Sequence, residues 1–357
     1  MKRWRVAGIQ FDHFHMGDNL AFARAHPRAE VVGVCDERRE RMASTVERLG
    51  LADEAVFTDW EVCLDRTSPD LVVLCPATAD RVEWVARVAS RGLPILLEKP
   101  FAASLEEADE MIACAERHGA LLAVNWPLAW YPCHRTAHRL VTSGAIGEVI
   151  EVHYYDGNRG PLWHTAGKEQ RTAEDVAREK PTSWFYRRDR GGGSLLDYLG
   201  YGTTLGTWFF DGRRPLEVTA MVDEPAGLEV DEHAVVVARY ACGLSTFETR
   251  WGTFTDPWTH QPQPKCGFVL VGTEGTLSSY DYESHVRLQD RRHPEGVDLP
   301  VDSLPPAYHN PIAHLIAVLE HKVPLDGPMT MACCRTGQEI VDAACRSARE
   351  KRTVVLT

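Results

Sequence analysis

The chain of 357 residues contains no apolar run near the ~18 residues that a membrane-crossing helix requires, which excludes a helical membrane span. It also lacks a long basic stretch. Its 39 basic and 51 acidic residues leave a formal charge of −12, which argues against nucleic acid or an anionic membrane surface as partner. Ten cysteines are present without a repeated C-x-x-C spacing, so they read as reduced, mostly buried thiols, and adjacent Cys333-Cys334 favour neither a disulfide nor a zinc site. No G-x-S-x-G nucleophile elbow, internal repeat or low-complexity tract occurs. Met1-Lys2-Arg3-Trp4 runs directly into Arg5-Val6-Ala7-Gly8 and leaves no room for the apolar segment of a signal peptide, so a cytoplasmic protein is expected. With 44% hydrophobic and 25% charged residues, the composition fits a folded chain of two domains whose partner is a small molecule.

Over residues 1–125 two periodicities alternate. Trp4 to Gly8, Glu30 to Cys35, Leu71 to Leu74, Pro94 to Leu97 and Leu121 to Val124 are short apolar runs, several without a polar side, as in buried parallel strands. Between them, Arg38 to Leu49, Asp80 to Arg91 and Leu105 to His118 repeat apolar residues at helical spacing, with Gly50, Gly92 and Gly119 as stops and Ser104 with Glu107 as a capping box. This grammar predicts an α/β fold, a doubly wound parallel sheet of the Rossmann kind. At the first turn the dinucleotide fingerprint is incomplete: its three glycine positions hold Gly8, Gln10 and His13. Asp36, at the end of the second strand, is placed to bind a ribose diol and repel a 2′-phosphate, favouring NAD; Arg38 and Arg39, which can pair with a phosphate, keep NADP open.

Glu98-Lys99-Pro100 closes the run Leu93-Pro94-Ile95-Leu96-Leu97 and puts a lysine at the carboxyl edge of the sheet, where open parallel sheets bind ligands. Residues 126–357 read differently. An amphipathic stretch, Tyr131 to Ser143, precedes Val149 to Tyr155, Leu216 to Val222, His233 to Tyr240, Leu244 to Trp251 and Phe268 to Gly272, a succession of strands that predicts a mostly antiparallel open sheet in an α+β domain for substrate binding and assembly. Gly157 to Phe185 is long, aromatic and aperiodic, as a lid would be. Gly191-Gly192-Gly193 opens a helical pattern in which Asp197 and Tyr201 share one face.

Taken together, these segments resemble the Gfo/Idh/MocA oxidoreductases. The resemblance rests on Glu98-Lys99-Pro100 and the helix after it, Gly144-Ala145-Ile146-Gly147-Glu148-Val149, Gly191 to Tyr201, Gly272-Thr273-Glu274-Gly275-Thr276 and the ending near Asp342 to Ala348. It implies a Rossmann domain followed by an α+β domain, a dinucleotide cofactor, and assembly into homodimers or homotetramers. It also implies roles for Lys99 and Asp197, with Tyr201 where most relatives carry a histidine, and for Pro76, Glu98 and Lys99 beside the cofactor. The usual threonine-proline turn appears as Cys75-Pro76, with Asp80 where a histidine is usual.

Oxidation of a secondary alcohol requires a base for the hydroxyl proton as hydride leaves for the nicotinamide. Tyr201 is assigned that proton-transfer role, with Lys99 favouring its phenolate and stabilising the alkoxide, and Asp197 binding a neighbouring hydroxyl. Asn125, Trp126, Trp130, Trp163 and Trp184 offer surfaces, and His153, Asn158, Arg159 and His164 polar partners, for a sugar, polyol or glycoside. His13-x-His15 and His134-x-x-x-His138 have chelating spacings, but no acidic or thiol ligand completes either in sequence, and no metal is expected. Two alternatives stay open: a redox-neutral enzyme with retained NAD, and a non-catalytic sugar-binding regulator.

Overall fold

The computed structural model describes residues 2–357. In the first half, β1 (Trp4–Phe11), α1 (His15–Ala25), β2 (Ala29–Cys35), α2 (Arg39–Leu49), β3 (Val56–Phe57) and α3 (Trp60–Thr67) lead into β4 (Leu71–Cys75), α4 (Arg81–Ala89), β5 (Ile95–Glu98), α5 (Leu105–Arg117) and β6 (Leu122–Asn125). The six strands form one parallel sheet in the order β3-β2-β1-β4-β5-β6. Every side chain of β4, β5 and β6 is buried, as expected of strands covered by helices on both faces. Strand order reverses between β1 and β4, and this switch point opens a crevice at the carboxyl edge. Ser104 accepts the Glu107 amide at 3.2 Å while Glu107 reaches back to the Ala103 amide, the capping arrangement that the spacing predicts. β3 and α3 have no counterpart in the sequence reading: β3 is two residues long, and α3 is started by Asp59, which accepts the Glu61 and Val62 amides.

The second half contains α6 (Pro132–Thr142), β7 (Val149–Asn158), α7 (Ala173–Glu179), α8 (Ser194–Phe209), β8 (Glu217–Asp223), β9 (His233–Tyr240), β10 (Gly243–Trp251) and β11 (Gly267–Gly272). It continues with β12 (Gly275–Tyr280), β13 (His285–Asp290), β14 (Val297–Pro300), α9 (Pro311–Leu319), α10 (Met331–Glu350) and β15 (Val354–Val355). Nine strands make an open sheet in the order β14-β13-β12-β11-β7-β10-β9-β8-β15, antiparallel except where β7 meets β10. One face is apolar and covered by α8 and α10, whereas the other leaves Met221, Val235 and Leu244 exposed. The short helix α9 does not stay with this sheet. Ile312, Leu315 and Ile316 pack with Met16, Leu20 and Ala23 of α1, and Glu320 pairs with Arg28, so the last third of the chain completes the first domain's core.

Helix α8 runs through the interior, and 15 of its 16 residues are buried. Its start needs glycine: a Cβ on Gly192 would run into the Phe185 carbonyl, and Gly193 adopts φ 109°. Because Gly193 offers no capping side chain, Asp231 replaces one, accepting from the Ser194 hydroxyl at 2.6 Å and the Leu195 amide at 2.8 Å. Farther along, a Cβ on Gly200 would lie 2.5 Å from the Trp126 ring, which is itself in the core. Gly200→Ala should therefore destabilise the protein by about 1–3 kcal/mol through overpacking, read as a lower midpoint in thermal unfolding.

Candidate active site

The end of β5 and the first turns of α8 meet at the crevice. Lys99 Nζ donates to Asp197 Oδ1 at 2.5 Å, and both side chains are almost completely buried. Tyr198 and Tyr201 flank the pair, each ring centroid 5.4 Å from Nζ. These groups line a cavity of about 390 Å³ that Asp156, Asp281, Tyr282 and Lys168 also line. Arg81, fully buried on α4, donates to the Lys99 carbonyl at 2.9 Å and holds that backbone in place.

Glu98 is fully buried behind the Rossmann side of the cavity, beneath His15, Asn19 and Asn125, which line it. His15 Nδ1 lies 2.7 Å from its Oε1, while Asn19 and Asn125 donate to Oε2 at 3.1 and 2.9 Å. Burial alone would raise the Glu98 pKa, but the His15 charge and hydrogen bond, with Lys99 and Asn125, hold it below the ordinary carboxylate value. Tyr201 goes the other way. Burial, reinforced by Glu98, Tyr198 and Asp197, pushes its phenol well above the usual value, which opposes the phenolate expected from Lys99.

A second cavity, about 510 Å³, lies on the other side of the β1–α1 connection and carries Arg38, Arg41, Ser44 and Thr45. The two cavities share the wall His13, Phe14, Pro161, His164, Thr165 and Phe185. Here the incomplete fingerprint acquires a physical form. Gly8 supplies close packing, since a Cβ there would lie 2.7 Å from Met16 Sδ. Gln10 takes φ 67°, the backbone that glycine usually supplies. His13 is buried and accepts the His15 amide on Nδ1 at 3.2 Å, which places its proton on Nε2, a buried donor without a partner. His13, His15 and Glu98 offer atoms within 4.8 Å of one another, so the acidic group missing from the local sequence arrives from β5; the protonated Nε2 nevertheless makes the trio a hydrogen-bonded set rather than a ligand set.

These features fit a dinucleotide laid across the switch point. The second cavity has cations beside the end of β2 for phosphate and ribose groups, His13 Nε2 is a free donor at the crossing, and Glu98 and Asn125 stand on the side of Lys99. The crossing is covered by the segment after β7: Trp184 Nε1 donates to the Asp12 carbonyl at 3.0 Å, the Gly167 amide donates to Asp18 at 2.6 Å, and Arg190 pairs with Asp80.

Among the residues expected in the site, Lys99, Asp197, Tyr201, Asn125, Asn158, His164 and Trp130 line the first cavity, and Trp184 and Arg38 the second. Asp36 is turned inward, accepting the Phe11 and Arg38 amides at 2.8 and 2.9 Å with Arg41 nearby. Pro76 contributes its carbonyl to Arg81. Three placements differ from the expected substrate wall. Trp126 is packed under Gly200 and Tyr201; His153 points to the open face of the second sheet, between Glu151 and Thr246; Arg159 stacks on Trp163, 3.8 Å from its ring. Residue type alone does not reveal which side of a strand or loop faces the crevice. Tyr198, Asp156, Asp281, Tyr282 and Lys168 were not anticipated, although Asp156 is two residues before Asn158 on β7 and so shares its side.

Ionised Glu98 stabilises the fold. Because its folded pKa is depressed, that contribution is fully present above the unfolded carboxylate value of about 4.3 and is lost as pH falls through the folded value. The thermal-midpoint gap between wild type and Glu98→Gln should therefore narrow below about pH 4.

Comparison with known proteins agrees with this architecture. The family described as "Oxidoreductase family, NAD-binding Rossmann fold" matches residues 3–126, and the GFO/IDH/MocA C-terminal domain matches residues 134–278. D-apiose dehydrogenase of Paraburkholderia graminis is 24% identical over 345 residues, covering 92% of this chain and 83% of that protein. The 2,7-anhydro-N-acetylneuraminate hydratase of Mediterraneibacter gnavus is 26% identical over 172 residues, covering 48% and 40%. Aldose-aldose oxidoreductase from Caulobacter crescentus, solved with glycerol, superposes with a TM-score of 0.78 at 18% identity, covering 99% of this chain and 100% of that one, and shares the fold. With both of its domains matched in order, the chain belongs to the Gfo/Idh/MocA family of NAD-binding oxidoreductases.

Proposed function

We propose that the protein transfers hydride between a secondary alcohol of a sugar, polyol or glycoside and NAD in the first cavity. The observation that carries this reading is the buried Lys99–Asp197 pair, set with Tyr201 in the wall of the first cavity. NAD supplies the hydride acceptor when bound. The chain's own residues manage the proton. Lys99 Nζ and the Tyr201 hydroxyl donate to the reacting oxygen, where negative charge develops. The alcohol proton passes to Lys99 Nζ as the lysine's own proton passes to Asp197 Oδ1 along their 2.5 Å contact; the reverse flow serves ketone reduction. His15, Asn19 and Asn125, which line the cavity and hydrogen-bond to Glu98 behind them, are the polar groups available to hold the cofactor beside this oxygen.

A carbohydrate suits a cavity in which Trp130 and Trp258 supply apolar faces while Asn158, Lys168 and Asp281 supply hydrogen-bonding groups, and the dehydrogenase relative named for D-apiose supports that class. The exposed Met221, Val235 and Leu244 on the open face of the second sheet support homo-oligomerisation through it, which sedimentation velocity would register as a dimer or tetramer.

Purified protein screened with NAD and NADP against sugars and glycosides should increase absorbance at 340 nm, with NAD preferred. Lys99→Ala and Tyr201→Phe should each lower turnover about a hundredfold or more. Unchanged turnover in both variants would overturn the assignment.

A further inference from the structure

Four carboxylates line the first cavity, and three are committed to partners: Asp197 to Lys99, Asp281 to His134 Nε2 at 2.8 Å, and Asp18 to the Gly167 amide. Asp156 is the exception. It has no cationic partner among the described residues, and its donor is the Tyr154 hydroxyl, 3.0 Å from Oδ2. It is only 8% exposed yet forms part of the cavity wall that Lys99 also lines, on the strand that carries Asn158. Burial first, and then the charge of Asp281, push its carboxyl up to about 7, with Tyr154, Cys266 and Lys99 pulling the other way. A carboxyl in this state both takes and returns a proton near neutrality.

Neither hydride transfer nor the proton relay through Lys99 uses Asp156. We propose that Asp156 is a second proton-transfer residue acting on substrate carbon: it removes the C–H proton beside a ring ketone and returns that proton to an oxygen leaving from the next carbon. This rests on the hydride-transfer reading, which supplies the ketone from the alcohol. In the first step the C–H electron pair becomes a C=C bond, the carbonyl π pair moves to oxygen, and the proton goes to Asp156. Lys99 and Tyr201 meet the charge on that oxygen. When the electrons flow back, the β-oxygen substituent leaves with its bonding pair and takes the proton from Asp156. The products are an unsaturated ketone and an alcohol, with no net oxidation. Because they line one cavity, the oxygen-stabilising and carbon-deprotonating groups can serve the same planar enolate.

Methyl 3-keto-β-D-glucopyranoside is a suitable probe, because its ketone flanks C–H groups at C2 and C4 and its anomeric oxygen lies on the β-carbon. The full chain is incubated with this ketone in D2O, with proton NMR following exchange at C2 and methanol release; NADH oxidation by the same ketone is measured separately at 340 nm. The wild type should accelerate exchange and methanol release over buffer. Asp156→Asn should lower both about a hundredfold, and lower NADH oxidation by less than about tenfold. Asp156→Glu, which keeps a carboxyl, should exchange faster than Asp156→Asn and serves if the amide variant does not fold. Wild-type exchange in Asp156→Asn would overturn the role. If the wild type oxidises NADH with this ketone but exchanges it no faster than buffer, the inference falls and hydride transfer stands. Exchange without NADH oxidation would overturn hydride transfer and support Asp156, and absence of both overturns the two together.

Discussion

The buried contact between Lys99 and Asp197 is the constraint around which the two domains are arranged. Its cation comes from the edge of the parallel sheet and its anion from a helix of the other domain. Either charge alone would carry a desolvation cost of several kcal/mol, so neither half of the chain is satisfied without the other. The backbone around the pair is correspondingly rigid. Arg81 donates to the Lys99 carbonyl from below, and Asp231 secures the amides at the start of α8. The three glycines ahead of that helix let the chain pass under Phe185 and deliver Asp197 to the lysine. The pair proposed as the proton relay thus doubles as the joint between domains.

The sequence reveals this joint because both ends carry unusual chemistry in regular elements: a charged triplet after an apolar strand, and a glycine run before a helix with acid and phenol one turn apart. The parallel sheet is equally legible, since β4 and β5 are apolar on both faces. Legibility fails where the signal is short or two-sided. β3 has two residues, β15 has two, and β12, β13 and β14 are short strands of six, six and four residues. The acidic wall is invisible for another reason. Asp156 lies on β7 and Asp281 directly follows β12, and only the pairing of β11 between those strands brings them to one cavity. His153 illustrates the converse, because its neighbour Tyr154 faces inward and the pleat turns the histidine away.

The incomplete glycine fingerprint also changes meaning once the fold is seen. Gln10 keeps the turn by adopting the glycine backbone itself, and His13 replaces a small residue with a ring that uses one nitrogen on the next amide but one and leaves the other as a donor. A backbone site for phosphate has become partly a side-chain site. The covering segment anchored by Trp184 forms, with Phe14 and Phe185, an aromatic wall shared by the two cavities.

Helix α9 has a consequence for how the molecule is made. The apolar side of α1, built by Met16, Leu20 and Ala23, is sealed by Ile312, Leu315 and Ile316. During synthesis the nucleotide-binding half leaves the ribosome first, with every strand of its sheet in hand, but its seal is encoded some 300 residues later. For most of translation that half is a domain with a wet seam, dependent on the tail of its own chain as another protein would depend on a subunit.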